Sequence, residues 1–232
     1  MKKISILIPC YNEAKTIEEL VSKVNKSQIN NKEIIIIDDF SSDGTKDILK
    51  KNLVSKVDKI IYHEKNQGKG ACIKTGLRHI SGEIVIIQDA DLEYDPNEYT
   101  KLVKPIDDFK ADIVYGSRFV GAEAKRTLYF WNRVANYFLT TFSNMCTNIN
   151  LTDMETGFKC FKTSAIKSII LEENGFGFEP EVTAKLAKKN YKFFEVGITY
   201  QGRTYEEGKK IRAIDGIKAV FCIIKYNFFT KN

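Results

Sequence analysis

The sequence is short of several things, and each shortage closes a class of function. None of its 232 residues lies in an apolar run approaching the roughly 20 residues that a membrane-crossing helix needs. The chain is therefore expected not to thread a bilayer, although it is free to touch one. No tract of like charge is long enough to act as a nucleic-acid arm. The net charge of +6, from 36 basic and 30 acidic residues, suits phosphate-bearing substrates or an anionic membrane surface without requiring either. Cysteine occurs five times (Cys10, Cys72, Cys146, Cys160, Cys222), an odd number, and never as a C-x-x-C pair. That usage speaks against a disulfide framework or a zinc site and for a reducing, cytosolic compartment. The run Ile4–Ile8, directly after Met1-Lys2-Lys3, is too short for a signal-peptide core and reads as a first strand. Neither an internal repeat nor a low-complexity linker interrupts the chain.

What is present centres on Glu83–Pro96, E-I-V-I-I-Q-D-A-D-L-E-Y-D-P. The β-branched run Ile84–Ile87, bounded by polar residues, suits a strand buried on both faces. It ends in carboxylates, Asp89, Asp91, Glu93 and Asp95. Asp89 and Asp91 project to the same side of an extended segment. Two like charges there repel unless a cation lies between them, and carboxylate oxygens suit Mg²⁺ or Mn²⁺. The competing reading is a solvated acidic loop.

In chain order, Ile4–Pro9 is a strand, and Thr16 caps the next helix with Glu19 in capping-box position. Glu33–Ile37 is a second strand, followed by Asp38-Asp39 and by a helix carrying Ile48, Leu49 and Leu53. Lys59–His63 is a third strand, and Asn66–Gly70 opens a helix through Ile80. This β-α alternation predicts a parallel, doubly wound sheet with helices on both faces. Parallel strands would collect Asn12-Glu13, Asp38-Asp39 and Asp89-Asp91 at one sheet edge, where such folds bind ligands. Further on, helices are expected over Pro96–Phe109, Arg126–Ile149, Ser164–Leu171 and Pro180–Lys189. Strands are expected at Asp112–Gly116, within Asp153–Phe161 and at Lys192–Tyr200. Ile214, Ile217, Val220, Phe221, Ile224 and Phe228 form an apolar stripe on a terminal helix. The organisation expected is one domain over 1–211 and an amphipathic helix over 212–232. The Arg126–Ile149 helix carries Tyr129, Phe130, Trp131, Tyr137, Phe138 and Phe142. It could lie in a membrane interface, or pack on the sheet or against a second subunit.

Four motifs stand in order: I-P-C-Y-N-E (Ile8–Glu13), I-D-D-F-S-S-D-G-T (Ile37–Thr45), N-Q-G-K-G (Asn66–Gly70) and D-A-D-L-E-Y-D-P (Asp89–Pro96). They resemble the family-2 nucleotide-sugar glycosyltransferases of the GT-A fold. G-S-R-F (Gly116–Phe119), D-M-E-T-G-F-K (Asp153–Lys159), G-F-G-F-E-P-E (Gly175–Glu181) and R-T-Y-E-E-G-K-K (Arg203–Lys210) extend the resemblance to dolichyl- and polyprenyl-phosphate sugar synthases, over roughly residues 3–211. Glu93 stands where that group usually has Gln. Glu206 and Gly208 depart from its R-x-x-G-x-S-K loop, which bears on acceptor and sugar.

The resemblance implies a nucleotide diphosphate sugar as donor, a lipid phosphate as acceptor and a Mg²⁺ or Mn²⁺ cofactor. Asp89 and Asp91 become metal or ribose ligands, with Glu93 as a third. Pro9, Tyr11, Glu13 and Ala90 become donor contacts, Tyr11 being otherwise a half-buried packing ring. Asp38 and Asp39 include the carboxylate that accepts a base N–H. Gly68 and Lys69 either admit a nucleotide close to the backbone or form a plain turn. Arg118 becomes a phosphate ligand, its alternative being a surface salt bridge. Arg203 and Lys209 become acceptor-phosphate ligands on a closing loop, or else a solvated basic face. Asp153 is either the base that a sugar-hydroxyl acceptor needs or a contact to the sugar or loop. Glu179 and Glu181, flanking Pro180, are read as acids of a helix first turn.

Two enzymatic readings follow. One is an inverting, metal-dependent hexosyltransferase (GDP-mannose or UDP-glucose type) acting on a polyprenyl phosphate at the cytoplasmic membrane face. The other transfers to a sugar hydroxyl in glycan or surface-polysaccharide assembly. A non-catalytic nucleotide-sugar sensor is disfavoured, because a binding-only protein needs no metal on the leaving group. No nucleic-acid partner is expected, and a homodimer is compatible with the sequence.

Overall fold

The computed structural model describes residues 2–122, 124–127, 129–204, 206–207 and 213–230. Seven strands form one sheet: β1 (Ile4–Cys10), β2 (Lys32–Asp38), β3 (Lys59–Tyr62), β4 (Ile84–Ile87), β5 (Ile113–Ser117), β6 (Lys159–Lys162) and β7 (Phe193–Gly197). Their order is β3-β2-β1-β4-β6-β5-β7. All neighbours run parallel except β6, which is antiparallel to both β4 and β5. The helices are α1 (Ile17–Lys26), α2 (Thr45–Ile48), α3 (Lys69–Leu77), α4 (Tyr99–Asp108), α5 (Phe130–Thr147), α6 (Thr163–Ile166), α7 (Phe178–Ala187) and α8 (Ala213–Ile224).

The continuous apolar runs of β1, β2 and β4 are explained by burial on both faces. Ile6, Ile8, Ile34, Ile36, Ile84 and Ile86 point one way, into a core shared with α1 and α4. Leu7, Ile35, Ile37, Val85 and Ile87 point the other way, towards α3, α5, α7 and α8. On α1 the spacing of Ile17, Leu20, Val21 and Val24 places all four in the first core, fully buried. Each contributes about 1.5–3 kcal/mol relative to exposure.

Several local expectations are corrected. Thr16 precedes α1 without capping it; its hydroxyl donates to Glu13 Oε2 at 2.7 Å, and Glu19 pairs with Lys23. The helix after Gly44 is one α-turn that widens into a π-turn over Leu49–Leu53. The aromatic helix begins at Phe130 rather than Arg126 and stops where Asn148 turns left-handed at φ 56°. The helix expected over Ser164–Leu171 ends at Ile166, because the Ser168 hydroxyl takes the Ala165 carbonyl at 2.7 Å.

The largest correction concerns which faces are covered. Helix α5 buries Asn136, Leu139, Thr140 and Ser143 and turns its aromatics outward: Trp131 is 75% exposed, Tyr137 72% and Phe138 60%. Helix α8, which touches α5, buries Ala219, Cys222 and Ile223 and exposes Ile214, Ile217 and Phe221, the stripe itself. Phe142 packs against the second core, whereas Phe130, Trp131, Tyr137 and Phe138 of α5 are exposed. Among the described residues no helix is long and apolar enough to cross a membrane.

Candidate active site

The carboxyl ends of β1, β2, β4 and β5 open into a cleft of about 690 Å³. The loop after each of the first three strands holds a non-glycine residue in the left-handed region: Asn12 (φ 51°), Phe40 (φ 65°) and Leu92 (φ 64°). Asn tolerates this conformation, whereas Phe and Leu do so at a cost of about 1–3 kcal/mol each. The result is that Glu13, Asp39 and the Asp89–Glu93 segment converge on one space.

Arg203 is the hub. Its guanidinium grips Glu13 with two hydrogen bonds, at 3.0 and 3.1 Å, and reaches Asp91 Oδ2 at 3.2 Å. Its backbone N–H donates to Glu93 Oε1 at 2.7 Å, and the Tyr200 hydroxyl donates to Glu93 Oε2 at 2.7 Å. Arg203 thus stands among the carboxylates expected to hold donor and metal. Burial raises the Asp91 pKa, and the neighbouring Glu93 and Asp89 raise it further against the pull of Arg203. Crowded carboxylates of this kind fit a divalent cation, which would relieve their repulsion through oxygen ligands suited to Mg²⁺ or Mn²⁺. The oxygens of Asp89, Asp91 and Glu93 all accept hydrogen bonds or ion pairs within the protein, so a cation would have to displace Lys69 from Asp89, or Arg203 from Asp91.

Lys69, at the start of α3, is 2.8 Å from Asp89 Oδ1 and 3.1 Å from Glu179 Oε1. Burial alone would lower its pKa; the two carboxylates outweigh that and raise it. The glycines beside it have a different reason from the one expected. A Cβ at Gly68 (φ 99°) would strike the Asn174 carbonyl, and one at Gly70 the Glu173 carbonyl. The N-Q-G-K-G loop is glycine-rich because the 173–175 segment presses on it. A Cβ at Gly157 would likewise collide with Asp89 Oδ2, so this glycine lets the loop before β6 approach the acidic pair.

Of the paired aspartates after β2, Asp39 lines the cleft and Asp38 is fully buried outside it. Asp39 accepts the backbone N–H groups of Gln67 (2.9 Å) and Gly68 (2.7 Å) and lies 2.7 Å from His63 Nδ1. Cys72 completes a compact Asp39–His63–Cys72 group. Hydrogen bonds within the protein already knit it, His63 Nε2 meeting Thr75 at 3.0 Å, so it orients Asp39.

Asp153 is 0% exposed and does not line the cleft. It lies behind Arg118, whose Nε and Nη2 each donate to it at 2.7 Å; its Oδ2 also accepts the Arg118 backbone N–H. Arg118 does line the cleft, its guanidinium 5.3 Å from the centre of the Tyr200 ring and bonded to Asn136 on α5. Neither acid beside Pro180 caps its own helix: Glu179 serves Lys69, and Glu181 accepts the N–H groups of Glu172 and Glu173.

Pro9, Tyr11, Glu13, Asp39, Gly68, Lys69, Asp89, Ala90, Asp91, Glu93, Arg118 and Arg203 all border the cleft. Lys209 lies outside the described residues. Sequence reasoning missed Glu155, Glu179, Tyr94 and Tyr200, and also Ile214, Asp215 and Lys218 of α8, which form one wall. Glu155 sits in the D-M-E-T-G-F-K motif, yet only its place in the cleft marks it. Its pKa is raised by burial first and by Glu179 next, and its Oε1 is buried without a partner.

The model of "Glycosyl transferase family 2" matches residues 5–170. The chain is 27% identical to a dolichol-phosphate mannosyltransferase of Pyrococcus furiosus, over 97% of this chain and 64% of that one, and so spans about two thirds of its length. It is 29% identical to a UDP-N-acetylglucosamine–dolichyl-phosphate N-acetylglucosaminyltransferase of Methanococcus voltae, over 82% of this chain and 81% of that one. Among solved structures, glucosyl-3-phosphoglycerate synthase of Mycobacterium tuberculosis, in complex with Mn²⁺, UDP and glucosyl-3-phosphoglycerate, superposes with a TM-score of 0.70. It covers 100% of this chain and 82% of that one at 17% identity, a likeness of fold.

Proposed function

The chain belongs to glycosyl transferase family 2, and we propose that it moves a hexose, with inversion, from a nucleotide diphosphate sugar to a polyprenyl- or dolichyl-phosphate-type lipid. The observation that carries this reading is the fate of Asp153. A sugar-hydroxyl acceptor needs a base, and the carboxylate expected for that work is sequestered behind Arg118 with its oxygens occupied. A phosphate acceptor is already an anion and needs none. The two dolichyl-phosphate relatives support the same acceptor class.

Pro9, Tyr11, Glu13 and Asp39 hold the nucleoside; Ala90 lies beside them at the mouth of β4. Asp89 and Asp91, with Glu93 next to them, are the residues to hold Mg²⁺ or Mn²⁺, which when bound neutralises charge on the departing diphosphate. An acceptor phosphate oxygen attacks the anomeric carbon opposite the leaving group. The C–O bond to the diphosphate breaks with its electron pair, and a nucleoside diphosphate departs. Arg118, held by Asp153, presents its remaining donors to the diphosphate of the donor. Arg203 must exchange carboxylate partners as the donor enters, and Lys209 follows it six residues on in the sequence. The outward aromatics of α5 and the stripe of α8 support docking at a membrane face, and the five free cysteines fit a cytoplasmic one.

The decisive experiment is a transfer assay with radiolabelled UDP- and GDP-sugars, Mn²⁺ or Mg²⁺, and undecaprenyl and short dolichyl phosphates. Label should enter the organic phase with one donor, and Asp91→Ala should remove metal-dependent turnover. Unchanged activity in that variant would sink the metal assignment.

One observation favours a second reading, transfer to a sugar hydroxyl. Glu155 borders the cleft with a raised pKa and a free oxygen, which suits a general base. Under that reading donor hydrolysis proceeds, no lipid is labelled, and Glu155→Gln abolishes glycan transfer; under the first, Glu155→Gln keeps lipid transfer.

A further inference from the structure

Among the described residues, eight carboxyl-bearing side chains border the cleft against four cations, Lys69, Arg118, Arg203 and Lys218. A donor diphosphate adds more negative charge, so an incoming phosphate dianion must find a cation that is not already committed. Three of the four are committed. Lys69 is held by Asp89 and Glu179, Arg118 by Asp153, and Arg203 by Glu13 and Asp91. Lys218 is exposed and makes no hydrogen bond or ion pair with any described residue. Lys225, further along α8, is not equivalent, because Glu172 and Glu173 both hold it at 3.2 Å.

The position of Lys218 is as telling as its freedom. It borders both the main cleft and an adjoining cavity of about 670 Å³. On α8 it falls one turn after Ile214 and one turn before Phe221, which are 51% and 68% exposed. The uncommitted ammonium therefore stands where an exposed apolar stripe meets an acidic cleft. An amphiphile lying along the stripe would bring its phosphate to that point.

We infer that Lys218 is the residue that captures the acceptor's phosphomonoester and delivers it to the cleft. This rests on the phosphate-acceptor reading above. The helix that the sequence presents as an appendage thereby becomes part of the acceptor site, and Lys218 supplies a point charge on a flexible stem that can follow the phosphate inward.

The test is isothermal titration of the full chain, with Mn²⁺ and either UDP or GDP present, using farnesyl phosphate, farnesol and 3-phosphoglycerate as probes. Lys218→Ala should weaken farnesyl phosphate about tenfold or more. It should leave the nucleotide affinity and the melting temperature near wild type, and Lys218→Arg should restore most of the loss. In the transfer assay the same variant should raise the acceptor KM and spare the donor KM. Wild-type affinity for farnesyl phosphate in Lys218→Ala, or a parallel loss of nucleotide affinity, would overturn the inference while leaving the acceptor reading intact. If the wild type binds 3-phosphoglycerate and not farnesyl phosphate, with the same dependence on Lys218, the inference stands and the lipid is replaced by a soluble phosphomonoester. If the wild type binds neither phosphate, both fall.

Discussion

Helices α1 and α5 carry the same kind of pattern and do opposite things with it. On α1 the apolar residues at helical spacing are all buried against the sheet, and Glu18, Glu19, Lys23 and Lys26 face water. On α5 the largest apolar residues face outward, while the buried stripe is made of Asn136, Leu139, Thr140 and Ser143. Hydrophobic periodicity identifies the adhesive face of a helix; it does not say what will cover it. For α1 the sheet covers it. For α5 the inward side is already served by small and polar groups that brace the site: Asn136 holds Arg118, and the Thr140 hydroxyl accepts the Met154 N–H.

This contrast can be broken or sharpened by measurement. Leu20→Ala on α1 should cost about 2–5 kcal/mol in denaturant unfolding, whereas Phe138→Ala on α5 should fall within about 0.5 kcal/mol of wild type. Equal losses at the two sites would end the distinction. The double variant Trp131→Ala/Phe138→Ala should retain its stability but lose about tenfold or more in partition onto anionic vesicles, since each aromatic is worth about 1.5–3 kcal/mol when buried. Undiminished partition would point the α5 face at a partner other than lipid. Asn136→Ala, which removes the acceptor for Arg118 Nη2, should cost about 1 kcal/mol and should lower transfer more than it lowers stability. A stability loss with transfer unaffected would sever α5 from the site.

The smallest effect is one of pH. Burial would raise the Glu33 pKa, but hydrogen bonds from Lys3, Ser5 and Ser81 win and bring it to about 2, against an ordinary 4.5. Because the folded value is the lower one, the stability this group contributes is present above about 4.5 and is lost as pH falls towards 2. Unfolding midpoints followed across that window should decline, and Glu33→Gln should flatten the decline.

Much of the sheet and of the acidic edge of the cleft could be read beforehand. Uninterrupted β-branched runs such as Ile84–Ile87 have few other uses, and a parallel sheet gathers its carboxyl ends at one edge without further instruction. The errors came where tertiary contacts decide. Gly68 and Gly70 have the composition of a phosphate loop, but the 173–175 segment is what excludes their side chains. Asp153 has the chemistry of a base and the position of a brace. Arg203 is an acceptor-phosphate ligand by resemblance or else part of a solvated basic face, and local pattern could not show that its partners are Glu13 and Asp91, from motifs far away in the chain. Glu155 sits in a recognised motif and Lys218 on an ordinary amphipathic helix, and in both cases only the folded cleft distinguishes the residue.

The pairing of Arg203 also has a bearing on how the molecule holds together. Its partners lie 190 residues back, at Glu13, and 112 back, at Asp91. Likewise Glu179 of the second half answers Lys69 of the first. The acidic edge built by β1 and β4 therefore receives its principal countercharge from a distant stretch of sequence. Cut from that stretch, the first half would carry a self-repelling rim, and the second a half-buried arginine with no carboxylate to meet it. Both hydrophobic cores already mix residues of the two halves, and β4 pairs with β6; charge divided in this way adds an electrostatic tie between the halves at the cleft.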